Sequence, residues 1–168
     1  MDKNQLRQKA AEMKKSLFDQ GVLNSYFLNL EYIESGQPHF VEEMIVTYFS
    51  QSALYLDELC EALEKCPMDM RTIERVIMKL KGGSASMGAG RFNAIVNEMC
   101  NVFKRGETDR LYDEFQRVKA EHALLKTQLE PYAELLHMLR DDVPPPASDE
   151  ASASQEDAES TASNDMEE

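Results

Sequence analysis

The chain has 168 residues, 42% of them hydrophobic, enough for one domain with a buried core and an appended tail. Its net charge of −13 offers no basic footprint for nucleic acid or an anionic lipid surface, and no run reaches the roughly 18 apolar residues of a membrane span. The opening residues, Met1-Asp2-Lys3-Asn4-Gln5-Leu6-Arg7, lack the apolar stretch of a signal peptide, so a soluble intracellular protein is expected.

Residues 3–20 carry Leu6, Ala10, Met13 and Leu17 on one helical face and stop before Gly21, a C-terminal glycine. A short helix over 24–35, capped by Asn24, exposes Phe27, Leu30 and Ile33 at three-residue intervals before Gly36-Gln37-Pro38 breaks it. The next helix spans 38–65, with His39 in its first turn as a surface residue. Its seam is Val41, Met44, Ile45, Tyr48, Tyr55, Leu59 and Leu63, and Pro67 closes it. Cys60, Cys66 and Cys100 are odd in number and form no Cys-x-x-Cys, which predicts reduced core thiols and no zinc site.

Asp69 caps a helix over 69–87 whose stripe is Ile73, Val76, Ile77, Leu80, Ser84 and Met87. At about 100° per residue, Met78 lies roughly 140° from the centre of that stripe, among Arg71, Glu74, Arg75, Lys81, Gly82 and Ala85. A thioether is therefore aimed at solvent on a charged face. Gly82 and Gly83 each cost the helix roughly 1 kcal/mol relative to Ala, so something needs the space. Either a kink or close helix crossing requires it, or another molecule approaches the bare backbone one turn beyond Met78.

A helix over 90–105 presents Phe92, Ile95, Val96, Met99, Val102 and Phe103 and ends near Gly106. The last, over 109–139, has the most regular stripe: Leu111, Phe115, Val118, His122, Leu125, Leu129, Tyr132, Leu136 and Leu139. Pro131 should kink or divide it near Glu130. No stretch alternates like a strand, so the fold class is all-α, an antiparallel four-helix bundle with additional N-terminal helices. Residues 1–140 form the domain. Residues 141–168, with Pro144-Pro145-Pro146 near their start and holding ten of the 31 acids with no Lys or Arg, are expected to be a disordered acidic tail. The tail reads first as a solvating spacer and second as an electrostatic screen against acidic partners, and Ser154, ahead of Gln155-Glu156-Asp157, sits in a context that suits an acid-directed kinase.

The segment Met78-Lys79-Leu80-Lys81-Gly82-Gly83-Ser84-Ala85-Ser86-Met87-Gly88-Ala89 resembles the phosphoacceptor motif of plant histidine-containing phosphotransfer proteins. Lys81, Gly82, Ser84, Ser86, Gly88 and Ala89 match that motif as they stand, and Gly83 stands where the family usually has Ser. The phosphorylated histidine falls on Met78. The likeness extends over residues 3–140 through Gly21-Val22-Leu23, Phe27, Leu30, Pro38, Phe40-Val41-Glu42-Glu43, Tyr48-Phe49 and Ser52.

A phosphorelay carrier needs an imidazole nitrogen to attack an acyl phosphate, and a thioether, with no titratable proton, forms no comparable phosphoramidate. The resemblance therefore implies a pseudo-phosphotransfer protein that binds sensor histidine kinases and response-regulator receiver domains, damps cytokinin signalling, and is neither an enzyme nor a cofactor protein. It implies a docking surface of Met78, Lys81, Gly82, Gly83, Ser84 and Arg75, with Ser84 supporting the helix by hydrogen bonding. A monomer in cytoplasm and nucleus is expected. The alternatives are an active relay mediator using another residue, or a helical adaptor outside phosphorelays. His122 reads as a satisfied core histidine. His137 completes one Glu-x-x-His with Glu134, where a di-iron bundle needs two such motifs and two further Glu, so no metal site is predicted.

Overall fold

The computed structural model describes residues 2–140, in which six α-helices and one 3₁₀ turn occur and no strand. They are α1 (Lys3–Asp19), α2 (Phe27–Glu34), α3 (Phe40–Glu64), α4 (Met70–Met87), α5 (Gly90–Lys104), the 3₁₀ turn Thr108–Arg110, and α6 (Leu111–Met138). Helices α3 to α6 form the antiparallel four-helix bundle, each packing on the next and α6 closing back on α3. Helix α1 packs on α6, and α2 packs on α3 and α4. The acidic residues 141–168 and the kinase-like context at Ser154 lie outside the described residues.

Local chemistry sets the helix ends. Asp2 and Gln5 form a reciprocal capping box on α1, and α1 closes through Gly21 at φ 74°, as its position predicts. Asp69 caps α4 by accepting from the Thr72 backbone N–H at 3.2 Å and its hydroxyl at 2.8 Å. One residue past α4, Gly88 adopts φ 75°, and a Cβ there would lie 2.3 Å from the Phe27 backbone nitrogen. The Asn24 N–H donates to the Gly88 carbonyl at 2.9 Å, which pins the α4–α5 turn to the segment that precedes α2.

Several expectations are corrected. Helix α2 begins at Phe27, after Asn24, and buries Phe27 and Leu30 completely or nearly so, leaving Ile33 exposed. His39 lies before α3, half-buried and left-handed at φ 67°. The Glu34 carboxylate accepts from the Val41 N–H at 3.0 Å and takes the capping role. The α3 seam runs through Phe49, Ser52 and Leu56, with Met44 and Tyr55 at its margin. Helix α6 continues through Pro131, because the buried Leu129, Tyr132 and Leu135 hold both sides of the missing N–H against the core. Of the cysteines only Cys100 is a core thiol. Cys60 is half-buried, and Cys66, in the α3–α4 connection ahead of Pro67, is exposed.

Candidate functional site

The α4 stripe is as spacing predicts. Ile73, Val76, Ile77, Leu80, Ser84 and Met87 are all buried. Met78, on the opposite side, is 47% exposed. Arg71 and Arg75 are exposed on the same side, and Lys81 is half-buried at its edge. Arg75 is anchored by an ion pair to Glu58 of α3, and Lys79 lies 5.6 Å over the Tyr55 ring.

The two glycines divide between the two uses that spacing left open. A Cβ on Gly82 would meet nothing within 4 Å, so its surface is bare backbone open to solvent. Gly83 turns toward α3, where a Cβ would sit 3.8 Å from Tyr48 Cε2, an ordinary packing distance. The helix runs unbroken past both.

Ser84 is fully buried, which removes it from any surface a partner touches. Its position on the inner stripe is the reason. Its hydroxyl donates to the Lys81 carbonyl at 3.1 Å and accepts from Asn93 Nδ2 at 2.7 Å. Asn93 also reaches the Lys81 carbonyl at 3.0 Å, and Asn97 Nδ2 donates to Asn93 Oδ1 at 3.1 Å. This polar chain fastens the Lys81 turn of α4 to α5, so Ser84 supports the exposed face from behind.

Beside Met78 a cleft of about 200 Å³ opens between α4 and α5, lined by Glu74, Ile77, Met78, Cys100, Phe103 and Lys104. Spacing within α4 could not find its α5 wall. The available signal was Cys100, Phe103 and Lys104 flanking the end of the α5 stripe, and Asn93 with Asn97 one turn apart beside it.

The histidines lie elsewhere. His122 is buried between Phe49 and Phe92, each ring 5.6 Å away, and is hydrogen-bonded to Ser52 Oγ at 2.7 Å. Burial, helped by the nearby Lys126 charge, holds its pKa below the usual imidazole value. His137 Nδ1 meets the buried Glu42 carboxylate at 2.8 Å at the end of α6, where Arg140 pairs with the other Glu42 oxygen at 3.0 Å. No cluster of metal-ligating side chains occurs among the described residues, and no described helix is long and apolar enough to cross a membrane.

The Hpt domain profile matches residues 43–130, the segment that builds most of this bundle. The chain belongs to the histidine-containing phosphotransfer family. It is 38% identical over 144 residues to pseudo histidine-containing phosphotransfer protein 2 of Oryza sativa subsp. japonica, covering 83% of this chain and 93% of that one. To histidine-containing phosphotransfer protein 4 of Arabidopsis thaliana it is 32% identical over 114 residues, 67% of this chain and 90% of that one. Among solved structures, the histidine-containing phosphotransfer protein of Medicago truncatula superposes with a TM-score of 0.71 at 27% identity, covering 80% of this chain and 92% of that one. The maize protein, at 21% identity and TM-score 0.74, covers 80% and 99% and shares the fold. This histidine-containing phosphotransfer chain is thus a phosphorelay protein by family.

Proposed function

We propose that this chain is a pseudo-phosphotransfer protein of a two-component relay. In this reading it docks on sensor histidine kinases and receiver domains in cytokinin signalling, carries no phosphate, and so damps the relay. The observation that carries the proposal is the 47% exposed Met78 side chain beside the open backbone of Gly82, at the position where the motif resemblance places the acceptor histidine. The rice relative named a pseudo histidine-containing phosphotransfer protein supports the same reading.

Phosphoryl transfer requires a nitrogen lone pair to attack phosphorus while the receiver's carboxylate departs, and the thioether supplies no such nucleophile. Docking requires only shape and charge. Met78, Lys81, Gly82 and Arg75 form the proposed contact surface, with an apolar side chain at 78 that sheds water at little cost, while Gly83 faces α3 behind it. None of the three histidines lies on α4, so none replaces the lost acceptor at this surface. A monomer of 19.1 kDa is small enough to diffuse between cytoplasm and nucleus, the distribution this reading calls for.

The test is incubation with a radiolabelled phospho-receiver domain. The chain should gain no label and should slow, in proportion to its concentration, transfer to a competent family member. Met78→His should acquire acid-labile label. Label on the wild-type chain would overturn the proposal.

A further inference from the structure

Charge is sorted between neighbouring helices. Helix α3 carries Glu42, Glu43, Asp57, Glu58, Glu61 and Glu64 and no Lys or Arg. Helix α4, packed against it, carries Arg71, Arg75, Lys79 and Lys81 against the single acid Glu74, and Lys104 of α5 joins them across the Met78 cleft. Among the described residues no carboxylate lies within 4.0 Å of Arg71, Lys81 or Lys104. In a chain with a net charge of −13, the Met78 face is thus an island of unneutralised positive charge.

Residues 141–168 are its chemical complement, with ten carboxylates and no base. They continue from the end of α6 and, fully extended at about 3.3 Å per residue, could span roughly 90 Å, against roughly 42 Å for α6 itself. Every part of the bundle is within reach. The acidic α3 repels such a segment. The other basic helix, α1, has Lys14 paired with Glu31 and Lys15 with Asp19, while Arg7 bonds only to the neutral Asn4 amide and so keeps its charge open beside Lys9, which makes α1 the competing site the test must separate.

We infer that the acidic segment 141–168 docks within its own chain on the basic Met78 face formed by Arg71, Lys81 and Lys104, where it competes with acidic partners. Tethering gives it an effective concentration on the order of millimolar, which a free partner must exceed or displace. Its consequence for docking rests on the function proposed above; the internal contact does not.

The experiment compares amide spectra of the ¹⁵N-labelled full chain with those of a full-length variant whose Asp and Glu between 141 and 168 are Asn and Gln. Differences should concentrate at residues 71–82 and around 104. They should collapse between 50 mM and 0.5 M NaCl, as the screening length falls below about 5 Å. They should also disappear in the Arg71→Gln/Lys104→Gln chain. Differences confined to residues next to 140, or gathered on α1, would overturn the inference. In parallel, the neutralised variant should bind a receiver domain about 3- to 10-fold tighter at low salt. Shifts on α4 with no receiver binding by either chain would reject the docking reading and leave the tail contact standing. Equal binding without α4 shifts would do the reverse.

Discussion

Asn93 of α5 donates through Nδ2 to the buried hydroxyl of Ser84 on α4 at 2.7 Å, and the same amide reaches the Lys81 carbonyl at 3.0 Å. One side chain thus stitches the helix bearing the exposed Met78 to its neighbour. Asn93→Ala would remove that donor and is expected to cost about 1–3 kcal/mol, read from urea unfolding. Asn93→Asp should lose more than an isosteric change implies, because a carboxylate cannot donate to Lys81 O.

Gly88→Ala is expected to destabilise the chain by at least about 2 kcal/mol. The left-handed φ of 75° already disfavours a side chain, and the new Cβ would fall 2.3 Å from the Phe27 nitrogen, a backbone atom that cannot step aside cheaply. A calorimetric Tm lower by roughly 6–10 °C is the expected result.

Gly82→Ala should act in the opposite direction. Nothing lies within 4 Å of the added methyl, so the helix should gain about 0.5–1 kcal/mol while the fold is unchanged. If the open backbone at 82 serves a partner, Gly82→Gln should be as stable as wild type and bind receiver domains more weakly. Unfolding and binding measured on the same preparations separate the two effects.

His122 makes stability depend on pH. Its folded-state pKa lies below the unfolded value of about 6.5, so the unfolded chain binds the proton more readily. The contribution is complete above about pH 6.5 and declines as pH falls from there toward the folded pKa, by at most about 1.4 kcal/mol per pH unit. Urea midpoints measured between pH 7.5 and 5.5 should fall for wild type. In His122→Gln the slope should flatten, although the variant itself is less stable.

Helical period made much of this legible. The α4 stripe and the outward Met78 follow from counting residues at 3.6 per turn, as do the Asp69 cap and the glycine terminus of α1. The α6 seam was equally plain as far as Tyr132, beyond which Leu135 is buried and Leu136 and Leu139 only partly so; Pro131 misled, since local backbone chemistry argues for a break and the surrounding core overrides it. What stayed hidden depends on pairs distant along the chain. Glu42 with His137 and Arg140, Ser52 with His122, and the α5 wall beside Met78 arise only when helices meet. His39 shows the same limit at short range, because its cap comes from Glu34 of the preceding helix.

The bond from Asn24 to the Gly88 carbonyl has a practical corollary. A chain trimmed to begin at residue 43, where the shared family segment starts, would lose Asn24 and Phe27 together and unmoor the far end of the helix on which Met78 stands. The two leading helices are thus part of the mounting for the surface, and deletions upstream of residue 43 should be felt at residue 78.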